Sequence, residues 1–232
     1  MFWTATARYG LEPAPGGLAF VQDLLNTLSA GKQRKPDLLE SAEAARAWLD
    51  QALRSWSGVT HRPAPGIELA AEDVQGLRDF RADLVRSLDA RHGDPVTEPG
   101  PAASVLTLPA ALRLDEHGVV HAEPRGTGWR QVASLALAEV YQAQCTDTLR
   151  RLKSCRNPRC LTAFYDRSRN NSGVWHDVHV CGNAANLRNY RARKRSGTTQ
   201  PRRTPRPAPA GGQLSRQAAS PPGGRSTLPL DG

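Results

Sequence analysis

The chain has 232 residues and a formal net charge of +9 at pH 7, with 23% of its residues charged. That length allows one sizeable core and a small satellite domain. No apolar run approaches membrane-spanning length, and Met1–Gly10 lacks a basic stretch followed by an apolar one, so the expectation is a cytoplasmic protein without a membrane span.

The charge is unevenly spread. Residues 150–195 hold twelve Lys/Arg against Asp166 and Asp177, a local charge of +10. Residues 1–149 carry −5, and the tail from Ser196 carries +4. A basic region of this kind points to a polyanionic partner. A GC-rich genome would favour arginine anywhere, which fits the tail better than the local excess before it.

Taken in order, the chain first shows a Pro/Gly-rich lead-in at residues 12–17. Leu18, Val21, Leu24, Leu25 and Leu28 then follow helical spacing and predict a helix over 17–29. In it Asp23 and Asn26 lie one turn apart. A hydrogen bond within the helix is the simpler reading, and a pair of polar groups in a ligand pocket is the alternative. The basic turn at 31–36 ends this element. Ser41 is placed to cap a helix over 42–53, with Trp48 in its apolar stripe. A third helix is predicted over 71–90, its stripe interrupted by Arg81, with Phe80 placed to cover the gap. Segments 105–108, 112–115 and 119–121 are β-prone, and Glu116-His117-Gly118 supplies a hairpin turn between the last two. A long helix over 129–152 follows, with Cys145 read as a small core residue. From Ser196 onward, thirty-seven residues hold seven prolines and six glycines, the composition of a disordered tail.

Between that helix and the tail lies the chemistry. Cys155 and Cys160 are separated by four residues, His176 and Cys181 by four, and the two pairs by fifteen. Two close pairs of sulfur and nitrogen donors across such a loop suit a structural zinc site of Cys3His type. An even cysteine count also permits two disulfides, but a reducing compartment favours the metal. His179 competes with His176 for the nitrogen position, and His176 is preferred because it repeats the four-residue gap. Arg156 and Arg159 would favour the thiolate form. Phe164 and Trp175 are expected to pack over the ion, with a base-stacking role for Trp175 as the alternative, and Asp166 to accept bonds from Arg167, Arg169 or a backbone turn. Four protein donors close the site, leaving no position for substrate. That argues for structure over catalysis.

Residues 183–195 have helical composition. Ala184, Leu187 and Tyr190 (or Arg191) occupy one side, and Arg188, Arg191 and Arg195 share a face. The arginines suit phosphate contact, and Asn183 and Asn186 are placed to read a base edge. An ordinary solvated helix is the competing reading.

The stretches Arg151–Cys160, Phe164–Asn170 and Trp175–Arg195 resemble the bacterial CGNR-type zinc finger proteins, a family proposed to act as stress-induced transcription regulators. The name-giving tetrad reads Cys181-Gly182-Asn183-Ala184, with Ala184 where the family has arginine. His176 stands where a cysteine commonly follows the tryptophan, which keeps a zinc donor. The opening at residues 15–27, with Asp37-Leu38-Leu39 and Ala47-Trp48-Leu49, is similar to the helical domain preceding that finger. The resemblance implies zinc, DNA as partner, and a small-molecule effector on the helical domain. The expected fold is therefore α+β: a mostly helical domain over 12–149 with a small β-hairpin, a zinc-stabilised finger with its basic helix over 150–195, and a disordered tail over 196–232. A protein-interaction module, or RNA as the polyanion, is the alternative function.

Overall fold

The computed structural model describes residues 2–31, 34–91, 105–183, 187 and 191. Two segments given expectations above, the tail from Ser196 and most of the basic helix, lie outside the described residues. The elements in order are α1 (Thr4–Ala7), α2 (Leu18–Leu25), α3 (Ala42–Thr60), α4 (Asp73–Arg91), β1 (Ala110–Leu114), β2 (Val120–Pro124) and α5 (Gly128–Cys145). A 3-10 turn (Leu149–Arg151), β3 (Leu152–Ser154), β4 (Ala163–Tyr165) and a π-helical turn (Val178–Gly182) complete them. This is a helical domain with two small β-hairpins, the second leading into the cysteine-histidine segment.

Helix α2 is the central element, and all eight of its residues are buried. Eight residues are too few for an isolated helix to persist in water, so packing holds it. Full burial of Phe20, Leu24 and Leu25 contributes roughly 1.5–3 kcal/mol each. Around it, α3 starts where expected: the Ser41 hydroxyl accepts from the Ala44 amide at 3.1 Å. It runs past residue 53 to Thr60, because Ser55 and Trp56 continue the buried stripe begun by Ala45, Trp48, Leu49, Ala52 and Leu53. His61, in the left-handed region at φ 56°, ends it. In α4 the interruption at Arg81 is an ion pair: its guanidinium donates to both Asp37 carboxylate oxygens at 2.7 Å and to Thr27 Oγ1 at 2.7 Å.

Four expectations are corrected. The long helix over 129–152 stops at Cys145, because Asp147 takes a left-handed conformation and the chain turns into the 3-10 segment. The buried side of α5 then runs through Val132, Leu135, Ala136, Glu139 and Ala143, which leaves Cys145 exposed. Residues 105–108 are not a strand. The hairpin pairs Ala110 with Pro124 through Leu114 with Val120, and its turn is held by Asp115, whose carboxylate accepts the His117 and Val119 amides. The segment before Gly10, which carried no structural expectation, forms α1 and places Trp3 and Ala5 in the core.

The fourth correction concerns Asp23 and Asn26, whose side chains bond partners outside the helix and not each other. Asp23 accepts from the Thr6 amide at 2.7 Å and from Trp48 Nε1 at 2.9 Å, tying α1, α2 and α3 together. Burial raises its carboxyl above the usual carboxylate range, against the effect of those donors. Asn26 reaches out of the helical domain altogether. Its side-chain amide donates to the Ala163 carbonyl at 2.9 Å, and its carbonyl accepts from the Ala163 amide at 2.9 Å. Both backbone groups of a β4 residue are thus satisfied by one side chain. Leu152 and Ala163 belong to the main core, so the second hairpin is docked as well as clamped.

Replacing Asn26 by alanine strands two buried backbone groups at about 1–3 kcal/mol each, with Gln22 Nε2, 3.4 Å from the Ala163 carbonyl, the nearest substitute. The expected loss of stability is roughly 2–4 kcal/mol, read as a lower denaturation midpoint at unchanged slope. A loss within about 0.5 kcal/mol, the range of ordinary surface substitutions, would show that the clamp is dispensable.

Candidate metal centre

Strand β3 delivers Cys155 to a tight knuckle. The Cys155 amide bonds the Thr162 carbonyl at 2.9 Å, and the Cys160 amide bonds the Asn157 carbonyl at 2.7 Å, so residues 155–162 fold back on themselves. Leu161, at φ 57°, makes the reversal into β4. The second half comes from Trp175-His176 and the π-helical turn. Asp177 caps that turn by accepting from the Val180 amide at 2.9 Å, and the turn presents Cys181 inward.

The knuckle and the turn bring Cys155, Cys160, His176 and Cys181 together, with donor atoms all within 4.8 Å of one another. The three cysteines are free and buried, and His176 is half-buried. Zinc–sulfur bonds of about 2.3 Å in a tetrahedron place sulfurs roughly 3.8 Å apart, a separation this cluster accommodates. The donor set, Cys3His, is one that structural zinc uses, and the geometry is consistent with such a site. His179 is exposed and stands outside the cluster.

Hydrogen bonds to the sulfurs support the thiolate form. Asn157 Nδ2 donates to Cys181 Sγ at 3.2 Å, and Cys160 Sγ lies 3.0 Å from Thr162 Oγ1 and 3.2 Å from His176 Nδ1. The hydrogen bond to Cys155, with those to His176 and Thr162, holds the Cys160 thiol well below its usual range against the effect of burial. Cys155 is pushed up correspondingly, because it keeps the shared proton. Phe164 is buried against the cysteines with Trp175 beside it, as expected, and Leu11 from the N-terminal segment joins them. Gly182 suits this close packing, since a Cβ there would lie 3.1 Å from the Trp175 ring and require the ring to shift.

The loop between the two halves is organised by an ion pair that the sequence pattern did not indicate. Lys153 Nζ donates to Asp166 Oδ2 at 2.7 Å and to the carbonyls of Asn171 and Gly173 at 2.7 and 3.0 Å. Asp166 also accepts the Ser168 and Gly173 amides at 2.9 and 2.7 Å. Burial opposes its ionisation, but Lys153 and these amides outweigh that and hold its carboxyl well below the usual range. The turn amides were foreseen for Asp166; Lys153 replaces Arg167 and Arg169 as its cation.

Residues 151–194 match the family model described as "CGNR zinc finger", and residues 18–150 match the one described as "Putative stress-induced transcription regulator" (ABATE). The second match alone spans more than half of the chain. The protein belongs to this family. None of the curated proteins compared with it matches.

In this CGNR finger Asn183, Leu187 and Arg191 are helical and exposed, spaced four residues apart along one stripe. Leu187 therefore shares a face with Arg191, the alternative to Tyr190 for that side. Arg188, Arg195, Asn186 and Ala184 lie outside the described residues. Among the described residues Arg159, Arg169 and Arg191 are exposed and make no ion pair, whereas Arg150 pairs with Asp147 and Arg167 with Glu12.

The reduced protein is expected to hold one zinc per chain by elemental analysis. Replacing Cys155, Cys160 or Cys181 by serine should release the metal and the order of the finger with it, because ion binding is much of such a segment's folding energy. His176→Ala should weaken binding far more than His179→Ala. Equal effects of the two histidine variants, or full zinc retention by Cys160→Ser, would contradict the assignment.

Proposed function

We infer that the protein is a zinc-dependent, DNA-binding transcription regulator of a stress response, acting in the reducing cytoplasm. The closed Cys3His cluster, in a segment carrying +10 within a chain of net +9, is the observation that carries this reading. The zinc is structural: Cys155, Cys160, His176 and Cys181 fill four coordination positions and leave none for a reacting group, so no catalysis is assigned. Arg188, Arg191 and Arg195 contact phosphates, which fixes register and supplies affinity. Asn183 and Asn186 contact base edges. The helical domain takes a small-molecule effector. A cleft of about 480 Å³ between the end of α3 and the first hairpin, with Trp56, Arg62, Arg113, Asp115 and His121 in its wall, supports that part.

A protein-interaction role for the finger is the second reading. It is favoured by three aliphatic side chains following the cluster's histidine, Val178, Val180 and Leu187, which are 45–62% exposed.

A salt titration of binding to duplex DNA separates the two. Each of Arg188→Ala, Arg191→Ala and Arg195→Ala is expected to weaken binding similarly on all sequences and to lower the slope of log affinity against log salt by about 0.9. Loss of a base contact at Asn183 or Asn186 should cost roughly 1–3 kcal/mol against the preferred site and little elsewhere. Arginine variants that match wild type in affinity and slope would make the finger a protein-interaction platform.

A further inference from the structure

Resting on the DNA-binding reading, we propose that the helical domain supplies a second phosphate-contacting element, the loop containing Arg34 and Lys35, held beside the zinc knuckle. The acidic half of the chain, at −5, has one basic island here: residues 28–36 contain three cations and no acid. Exposed Arg34 and half-buried Lys35 make no ion pair among the described residues, unlike Asp37 and Arg81 just beyond.

The base of this loop is fixed. Arg8 Nη1 donates to the Pro36 carbonyl at 2.6 Å, and its Nη2 donates to the carbonyls of Asn26, Thr27 and Leu28 at 2.6–2.9 Å. Tyr9 donates its hydroxyl to the Leu28 carbonyl at 2.8 Å and accepts from the Ala30 amide at 3.1 Å. One arginine therefore grips both ends of the loop. The Gly31 amide then bonds the Cys160 carbonyl at 2.8 Å, so the loop touches the knuckle itself. Gly31 is at φ 75°, with the Tyr9 ring 3.3 Å from where a Cβ would sit, and the positive φ ties this approach to glycine.

The spacing suits one duplex. Arg34 is three residues from Gly31, at most about 11 Å of chain, and unpaired Arg159 directly precedes Cys160. Cations from both parts then lie well within the roughly 34 Å of one DNA turn. An acidic protein surface would also attract two arginines, but a B-DNA backbone offers about one charge per 1.7 Å and releases counterions when they bind, and this distinguishes it.

The test uses the full-length, zinc-loaded chain and a salt titration against duplex DNA. Wild type is compared with Arg34→Ala/Lys35→Ala and with Arg125→Ala/Arg130→Ala, which removes the same charge from exposed side chains at the end of the first hairpin. The loop variant is expected to keep its zinc and lower the slope by about 1.8, two contacts at about 0.9 each. The hairpin variant should leave the slope unchanged. If wild type binds DNA and the loop variant keeps the wild-type slope, or the hairpin variant lowers it equally, this proposal is overturned while the DNA-binding reading stands. If wild type does not bind duplex DNA at all, the DNA-binding reading fails and this one with it. Binding to an acidic protein instead would appear as loss of that partner with no DNA slope to change.

Discussion

Three buried sulfurs and an imidazole within 4.8 Å of one another form the constraint around which the finger is ordered. Few apolar side chains surround them: Phe164, Trp175 and Leu11 are the cluster's apolar neighbours. Thiolates at this distance repel in a medium of low dielectric constant, and thiols would forgo the charge-assisted bonds from Asn157 and His176. A divalent cation would resolve both problems, and its binding energy would then be folding energy for a segment this polar. The Lys153–Asp166 pair and the turn it organises bring the two halves of the donor set within reach of each other.

The finger is not an independent bead on the helical domain. Asn26 satisfies both backbone groups of Ala163, Gln22 leans on the same carbonyl, and Gly31 bonds the carbonyl of Cys160. All three partners come from α2 or the loop that follows it. The same helix holds Asp23, which joins α1 and α3, and its preceding Gly17 lies against the buried carboxylate of Glu139. Burial raises the Glu139 carboxyl, and Trp56 Nε1 donates to it at 3.0 Å with Arg62 3.7 Å away. Trp56 and Arg62, in the wall of the cleft, thus contact the Glu139 carboxylate that packs against the start of α2.

Much of this was legible in the sequence where the signal is local. The four donors were found from spacing alone, since metal chelation requires close pairs. The Ser41 cap and the stripes of α3 and α4 follow from helical period, and the hairpin from its turn residues. What escaped shares a different cause. Asn26, Arg81, Lys153 and Arg8 are polar residues whose partners lie 13 to 137 positions away, and no periodicity marks such a pairing. Cys145 was misplaced because a helix pattern was extended past Asp147, a residue able to adopt the left-handed conformation that ends α5. Trp3 and Ala5 were missed because four helical residues give no readable period.

The most direct test couples the metal to the DNA in one experiment. Zinc is added stepwise to reduced, chelator-stripped full-length protein, and binding to duplex DNA is measured at each step. Affinity should rise in proportion to zinc bound and level off at one equivalent per chain. DNA affinity that is the same at zero and at one equivalent of zinc would contradict a zinc-ordered finger as the DNA-binding element.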